Sequence, residues 1–358
     1  MGKRATLKDV AREAGVTPAT VSYVINNTPG QSIRPETRKR VLEAARKLKY
    51  APNAHARTLR NHHSPCIGMV IRKNLAVPRF SQMAYGIQTK LEQEGYNALL
   101  LGNKINNLGI ADYAEAFLAG RVGGIIFIGT DNQGPDERSL KVLADEHAPL
   151  VVFDTQTQAD SYSTVDLDYV GGARLSCERV LSRGCKRVLY FRPDIDKPQE
   201  TLREQGVRET CEAAGVELVC ARSPITLGNI ELWDARYVGA DTEEGPRLSE
   251  RFLASVANAL ELVDDGDAVI SSWATWTHYF RRIETQRGSR RRLTYAELAN
   301  NGESWLAADL YTRLPNYEAG AACAEDVLAL MRTGVPSARI MKLSNIIEAP
   351  LGQQAPNY

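Results

Sequence analysis

The chain has 358 residues, of which 43% are hydrophobic and 24% are charged. This composition is typical of a soluble globular protein with two or three domains. No stretch approaches the roughly 18 consecutive apolar residues of a membrane span, and the N-terminus lacks the apolar run of a secretory signal. These features exclude membrane insertion and secretion, and they predict a cytoplasmic protein.

The sequence carries no pattern that is typical of an enzyme or of a metal site. It has six cysteines, none spaced as Cys-x-x-Cys, and it lacks Gly-x-Ser-x-Gly, Walker and His-Glu-x-x-His motifs. We therefore expect no catalytic residues, no metal and no cofactor. An enzyme acting on a metabolite is the alternative from another functional class.

The charge is divided unevenly along the chain. Residues 1–63 hold 13 Lys and Arg against 4 Asp and Glu, a net charge of +9, while the whole chain has a net charge of only +1. A small basic module joined to a larger acidic body indicates that one end binds a polyanion. The alternative is a basic tail that is simply solvated.

Local signals predict three short helices in the basic segment. Thr6 followed by Asp9 resembles a capping box, and Gly15 ends the first helix. Thr17 and Pro18 open the second helix, and Pro35 opens the third. Two short helices joined by a tight turn form a helix-turn-helix. The apolar residues predicted to face inward are Leu7, Val10, Ala11, Ala14, Val21, Val24, Ile25, Val41, Leu42, Ala45 and Leu48.

Helix-turn-helix geometry predicts which side chains contact DNA. The second helix enters the major groove, so its outward side chains read bases, whereas Thr6 and Arg34 are placed to hold phosphates. The alternative is a three-helix protein-interaction module. The predicted outward residues of the second helix are Thr17, Pro18, Ala19, Ser22, Tyr23 and Asn26.

The sequences of residues 6–26, 38–50 and 51–60 together resemble the opening of the LacI-type (lactose repressor) family. The resemblance implies a homodimer that binds a pseudo-palindromic operator on double-stranded DNA and responds to a small-molecule effector. It also implies a hinge helix that orders on DNA and inserts a leucine, here Leu59, into the minor groove. Eight residues are too few for a stable isolated helix, which agrees with this behaviour. A plain interdomain linker is the alternative. The hinge residues expected to contact DNA are Asn53, Ala56 and Leu59.

Short apolar runs alternate with amphipathic stretches after residue 66, which predicts an α/β core of parallel sheets with helices on both faces. The number of strand–helix units is large for a single sheet and favours two lobes. The resemblance implies a bilobed core like that of periplasmic binding proteins. The predicted domains are a headpiece (1–52), a hinge and linker (53–65), an effector-binding and dimerisation core (66–350) and a short tail (351–358).

The resemblance also predicts how the core segments divide between the lobes. The first lobe is expected to contain residues 66–164 and about 292–314. The second lobe is expected to contain residues 165–291 and 315–345. Small molecules bind beyond the carboxyl ends of parallel strands, so the cleft between the lobes is the predicted effector site.

Four residues are predicted to bind the effector. Asp154 follows an apolar run, and Arg203 begins an Arg-x-x-Gly that resembles the family signature whose arginine binds ligand oxygens. Phe80 lies in a stretch resembling the family's first-lobe lining. Trp273 would stack on a ligand ring or only fill space. The alternatives are a loop cap for Asp154 and an exposed helix charge for Arg203.

The sequence departs from the family at two places in the cleft. Ser272 and Trp273 stand where the family usually has an Asn-Asp pair, and residues 296–300 replace a Gly-(aromatic)-Asp-Asp segment. The effector is therefore sugar-like or another metabolite without the usual contacts, or the core works without a ligand. The sequence predicts a repressor of metabolic genes under effector control, and a ligand-independent DNA-binding regulator is the alternative.

Overall fold

The structure is a computed structural model, and the chain divides into two units, Met1–Ser64 and Pro65–Tyr358. Four of the predicted DNA contacts, Asn26, Asn53, Ala56 and Leu59, lie outside the residues that the structure describes, as does the tail at 351–358. The described residues are 5–25, 30–50, 64–129, 134–157, 159–239, 243–302 and 308–348.

The first unit contains α1 (Leu7–Ala14), α2 (Pro18–Ile25) and α3 (Pro35–Lys47). A complete capping box begins α1, because the Asp9 amide donates to the Thr6 hydroxyl (3.3 Å) and the Thr6 amide donates to the Asp9 carboxylate (2.9 Å). Gly15 ends α1 in the left-handed conformation. The predicted helix-turn-helix is confirmed.

The small core of this unit follows the predicted helical spacing with one exception. Leu42 was expected to face inward, but it is 36% exposed, and Ala44 is buried instead. Val41, Ala44 and Ala45 lie at the i, i+3 and i+4 positions of one helix face, whereas Leu42 is turned about 100° away from Val41. The other buried members of this core are Val10, Ala11, Ala14, Val21 and Val24.

The second unit contains two six-stranded sheets. The first sheet has the order β11-β5-β4-β3-β1-β2, and each neighbouring pair is parallel. Its strands are β1 (Cys66–Ile71), β2 (Asn97–Leu100), β3 (Gly124–Ile128), β4 (Leu150–Phe153), β5 (Ser163–Asp168) and β11 (Ala338–Lys342).

The second sheet has the order β12-β10-β9-β8-β6-β7 and is parallel except for the edge pair of β10 and β12. Its strands are β6 (Arg187–Pro193), β7 (Glu217–Ser223), β8 (Ala268–Ser271), β9 (Thr294–Asn300), β10 (Leu310–Arg313) and β12 (Ile346–Glu348).

Helices cover both faces of each sheet, as the strand–helix alternation predicts. On the first sheet, Met83 and Cys323 lie in the apolar cluster on one face, and Tyr113 and Leu143 lie in the cluster on the other. The helices of this unit are α4 (Pro78–Gln93), α5 (Asp112–Leu118), α6 (Glu137–Asp145), α7 (Tyr169–Leu181), α8 (Pro198–Ala214), α9 (Ile230–Asp234), α10 (Glu244–Leu260), α11 (Trp276–Gln286) and α12 (Asn316–Thr333), with a 3-10 helix at Ala235–Val238.

The prediction of two parallel α/β lobes is confirmed, but the division of the late segments between them is wrong. Strands β9 and β10 belong to the second sheet, whereas α12 packs on α4 and β11 pairs with β5 in the first lobe. The chain therefore passes between the lobes after β5, after β10 and after β11. Apolar spacing identifies a strand, but pairing with β8 or β5 depends on side chains far away in sequence.

Helices α4 and α12 pack with their backbones in contact at two glycines. A Cβ atom on Gly86 would lie 2.0 Å from the Tyr317 carbonyl oxygen, and one on Gly320 would lie 2.1 Å from the Met83 carbonyl oxygen. Only glycine allows this approach at either position. The contact fixes the first turns of α4, which carry residues at the cleft edge of the first lobe.

Candidate DNA-binding surface and interlobe cleft

The N-terminal end of α2 presents polar and small side chains to solvent. The Thr17 hydroxyl accepts a hydrogen bond from the Thr20 amide (3.2 Å), which caps α2 as predicted, and Pro18 occupies its first position. Thr17, Pro18 and Ala19 are exposed, and Tyr23 is half-buried. These four side chains form the accessible face of the helix that a helix-turn-helix places against DNA.

Ser22 and Thr6 differ from the expected arrangement. Ser22 was predicted to face outward, but it is only 7% exposed, because its small side chain lies beside the buried stripe of α2 that contains Val21 and Val24. Thr6 is exposed, but its hydroxyl donates to the Asp9 carboxylate (2.6 Å) and therefore serves the helix cap. A phosphate contact by Thr6 stays a prediction.

Basic side chains lie along α3 and immediately before it. Arg34 immediately precedes α3 and is exposed, as are Lys39, Arg40 and Arg46. Lys47 forms an ion pair with Glu13 of α1 (2.5 Å), which links the outer helices of the unit. The exposed cations provide a positive surface of the kind that holds phosphates.

In the second unit, the carboxyl ends of β4 and β5 carry a buried polar cluster. The Arg79 guanidinium donates to the Asp154 carboxylate (2.9 Å) and to the Tyr169 hydroxyl (3.1 Å). The Tyr169 hydroxyl donates to the same carboxylate oxygen (2.8 Å). Burial raises the pKa of Tyr169, so its proton stays available for this bond. Asp154 has a φ of 60°, a left-handed conformation that asparagine and aspartate tolerate better than most residues.

Phe80 lies in the apolar core of the first lobe beside this cluster. Its ring is 9% exposed, and the Arg79 guanidinium carbon lies 5.9 Å from the ring centroid. Arg79 therefore provides the polar group at this edge, and Phe80 supports it from the core side.

A second buried cluster lies at the start of α8. The Arg203 guanidinium donates to the Glu200 carboxylate (2.7 Å), and its carbon lies 4.4 Å from the centroid of the Tyr169 ring. Arg203 is only 2% exposed, so the alternative of an exposed helix charge is wrong. The stacking on Tyr169 links α8 to the first residue of α7, where the chain enters the second lobe.

Trp273 completes this second cluster. Its indole N–H donates to the Glu200 carboxylate (2.7 Å), and its ring centroid lies 5.2 Å from that of Trp276. The Ser272 hydroxyl donates to the other oxygen of the same carboxylate. Trp273 therefore packs beside Trp276, and its stacking on a ligand ring stays a prediction.

The lobes meet at Gln199, whose side-chain amide in α8 donates to the main-chain carbonyl of Asp154 (3.1 Å). Nearby in the second lobe, buried Glu297 accepts bonds from Thr277 (2.5 Å) and from the Asn300 side chain (2.8 Å). Glu297 and Asn300 stand in the segment that departs from the family pattern. The Asn300 side-chain carbonyl also accepts a bond from the Gly302 amide (2.6 Å).

Sequence reasoning found Asp154, Arg203 and Trp273 but missed the partners that hold them. Arg79 stands directly before Phe80, and Glu200 stands three residues before Arg203, a spacing that places the two on one helix face. This spacing was the available signal for Glu200. The sequence offered no comparable signal for Tyr169, which directly follows β5.

Comparisons with known proteins match the two units of the chain separately. Residues 6–53 match the family described as bacterial regulatory proteins, lacI family, and residues 64–223 match the periplasmic binding proteins and sugar binding domain of the LacI family. The chain belongs to the LacI family. The second match ends at the last residue of β7, so it includes Glu200 and Arg203 but not Ser272 or Trp273.

The curated relatives that match include one named as a transcriptional repressor and one named as a catabolite control protein. The HTH-type transcriptional repressor PurR of Mannheimia succiniciproducens is 28% identical over 215 residues, or 60% of this chain and 63% of that repressor. Catabolite control protein A of Staphylococcus xylosus is 31% identical, over 54% of this chain and 56% of that protein. The chain thus spans about three fifths of these curated relatives.

Solved structures of the LacI fold match nearly the whole chain. The Lac repressor bound to ONPG in its repressed state has a TM-score of 0.72 at 18% identity, covering 97% of this chain and 99% of that one. A CelR–cellobiose complex has a TM-score of 0.58 at 20% identity, covering 96% and 98%. At this identity the likeness concerns the fold.

The described ranges contain no helix long and apolar enough to cross a membrane. Within the same ranges, no group of three or more His, Cys, Asp or Glu side chains is arranged to hold a metal ion.

Proposed function

We propose that this protein is a sequence-specific DNA-binding transcription regulator, acting as a homodimeric repressor of metabolic genes. The observation that carries the proposal is the exposed face of α2 formed by Thr17, Pro18, Ala19 and Tyr23, at the reading position of a helix-turn-helix. These side chains approach base edges in the major groove. Arg34 and the exposed cations of α3 contact phosphates and fix the register.

The hinge supplies a second set of contacts in this proposal. Asn53 and Ala56 approach the minor groove, and Leu59 wedges between base pairs at the operator centre. Two protomers place two hinges on one pseudo-palindromic site, and the kinked DNA stabilises helices that are too short to persist alone. Family membership is the support for these roles, together with the sequence of residues 51–60.

The names of the relatives support a regulator rather than an enzyme, and binding to operator DNA would place the protein in the bacterial cytoplasm. Because the alignments cover about three fifths of those relatives, the whole-chain function is our inference from the two family matches and the helix-turn-helix.

The interlobe cleft is our candidate effector site, with Asp154, Arg203 and Trp273 as its polar and aromatic residues and Phe80 at its first-lobe edge. A metabolite bound there would change the relation between the lobes and thereby the DNA affinity, a coupling of about 1–3 kcal/mol in typical cases. A second candidate is a regulator with a ligand-independent core. The bonds that Glu200 makes with Arg203 and Trp273 favour it, because they occupy side chains expected to bind a ligand.

The DNA-binding proposal is tested by operator titration over a range of salt concentrations. We expect the affinity to fall by roughly 10³-fold between 50 and 200 mM salt, because six or more phosphates would be neutralised. Arg34→Ala should reduce the salt slope by about one. Arg332→Ala, which removes an exposed charge from α12, is the matched control and should leave the slope unchanged. Affinity that is insensitive to salt would refute the phosphate contacts.

Base reading is tested by selecting binding sites from randomised duplexes. Tyr23→Ala should change the preferred operator, whereas an equal loss of affinity on all sequences would show that Tyr23 reads no base. Leu59→Ala should weaken operator binding much more than binding to nonspecific DNA, and a parallel fall of both would rule out the minor-groove wedge.

Calorimetric titration of the full chain with sugars and other metabolites separates the two candidates. Effector control predicts saturable binding together with a change in operator affinity. Binding of none of these compounds at millimolar concentration, with operator binding intact, would favour the ligand-independent regulator.

A further inference from the structure

Glu200 lies where a bound ligand would be expected to meet Arg203. It is the third residue of α8 and is only 4% exposed. Its carboxylate accepts hydrogen bonds from the Arg203 guanidinium (2.7 Å), from the Trp273 indole (2.7 Å) and from the Ser272 hydroxyl. Donors from α8 and from the segment after β8 therefore converge on one carboxylate.

This arrangement pairs the two ionised groups with each other, although the Nε of Arg203 is buried without a hydrogen-bond partner. A buried carboxylate loses its hydration and is tolerated only when charge and hydrogen bonds replace the water. A buried guanidinium has the same need, and its fork of donors suits a carboxylate. In this chain Arg203 receives its anion from Glu200, three residues earlier in the same helix.

We propose that Glu200 is an internal ligand that fills the anion position of the cleft and determines its specificity. The inference rests on the proposed function, in which the cleft is the effector site. While Glu200 holds Arg203, Ser272 and Trp273, a metabolite with a carboxylate finds no free cation there. The effector class admitted at this position is uncharged, and small carboxylates are excluded.

The neighbouring cluster of Arg79, Asp154 and Tyr169 also contains a cation paired with a carboxylate. Asp154, a buried carboxylate of the first lobe, is paired with Arg79 (2.9 Å) and accepts a bond from Tyr169. Each lobe thus contributes one ion pair, Arg79 with Asp154 and Arg203 with Glu200, in which the opposite charges neutralise each other. An ionic ligand of either sign would have to break one of these pairs.

The test is to remove the internal anion and supply an external one. Glu200→Ala leaves a space and an unpaired guanidinium, and acetate is the probe that fits both. Thermal unfolding of the full chain is followed while sodium acetate replaces sodium chloride at constant ionic strength. We expect a saturable upward shift of several degrees for Glu200→Ala and no acetate-specific shift for the wild type, as linkage to folding requires.

Two further variants show whether acetate acts at Arg203. Glu212→Ala removes an exposed carboxylate from the same helix and should show no acetate-specific shift. Glu200→Ala/Arg203→Met lacks the cation as well and should lose the response. A folded Glu200→Ala that does not respond to acetate, or a double variant that responds equally, overturns the proposal.

If Glu200→Ala is unfolded in chloride, the same titration is followed as recovery of the folded circular dichroism signal. Recovery in acetate supports the internal ligand, and no recovery overturns it. Operator binding by the wild type is measured on the same preparation. Loss of operator binding would contradict the proposed function, whereas a failed acetate test with intact operator binding would contradict only the role of Glu200.

Discussion

The guanidinium of Arg79 donates a hydrogen bond of 2.9 Å to the carboxylate of Asp154, and both groups lie largely out of solvent, at 19% and 6% exposure. The Tyr169 hydroxyl completes a triangle with them. Because the Asp154 main-chain carbonyl also accepts a hydrogen bond from Gln199, the ion pair positions a loop of the first lobe that contacts the second.

Replacing Arg79 with methionine should destabilise the core strongly. The substitution keeps the apolar stem but leaves the Asp154 carboxylate buried without its cation, and we expect a loss of about 3 kcal/mol in the free energy of unfolding. Urea unfolding measures it. The control is Lys141→Ala, which breaks an exposed ion pair with Asp145 and should cost less than about 1 kcal/mol. Equal losses in the two variants would refute a buried pair.

Gly86→Ala should disrupt the contact between α4 and α12. The new methyl group would lie 2.0 Å from a backbone carbonyl oxygen, so the helices must separate, and overpacking of this kind costs about 1–3 kcal/mol. The matched variant is Gly134→Ala, whose Cβ would meet nothing within 4 Å. Thermal unfolding of both proteins is the measurement, and a Gly86→Ala protein as stable as Gly134→Ala would contradict the close approach.

Asp136 should make stability depend on pH in the acid range. Burial opposes its charge, but the bonds it accepts from Ser139 and Tyr113 outweigh burial and hold the pKa of Asp136 below its ordinary value. A depressed folded-state pKa means that the stabilisation is present above the ordinary value near 4 and is lost as the pH falls through the folded pKa.

Chemical denaturation of wild type and Asp136→Ala between pH 2 and 7 measures this contribution. The stability difference should be constant above about pH 5 and should shrink at lower pH. A difference that grows on acidification would mean that Asp136 is not stabilised in its charged form.

The cysteines should differ sharply in reactivity. Cys220 is exposed, whereas Cys177, Cys211 and Cys323 are buried. Alkylation of the native protein should modify Cys220 long before these three, and Cys220→Ser should remove the early label in the mass spectrum. Desolvation of its sulfur and the nearby Glu204 raise the pKa of Cys220. Its labelling rate should therefore still increase with pH in the range where the rate of a small free thiol has become constant. Early labelling of Cys323 would contradict its burial.

Short-range signals predicted the headpiece well. The capping box at Thr6, the cap at Thr17 and the turn at Gly15 depend on neighbours a few residues away, so the sequence contains the information. The error at Leu42 also arose from local reasoning. Leu42 and Ala44 are both apolar, and the larger leucine was chosen as the buried residue. The 100° turn between successive helical residues places Ala44 on the buried face instead.

The core was predicted less completely because its organisation depends on distant partners. Short apolar runs indicated the alternation of strands and helices, but no local feature shows that Thr294 pairs with Ala268 or that Ile340 pairs with Asp166. In the cleft, Arg203 was found through its family signature. Glu200 was missed because a glutamate three residues before an arginine usually forms an exposed ion pair on a helix. The burial of Glu200 depends on Ser272 and Trp273, which lie in another segment of the chain.

The two late crossings between the lobes affect the order in which the protein folds during synthesis. The headpiece helices come from one continuous stretch near the N-terminus, so they can form soon after that stretch leaves the ribosome. The first lobe cannot, because α12 and β11 are translated after most of the second lobe. The packing of α4 on α12 stays incomplete until α12 has emerged, and the sheet edge stays open until β11 has emerged. The first lobe is therefore completed only after most of the second lobe has been made.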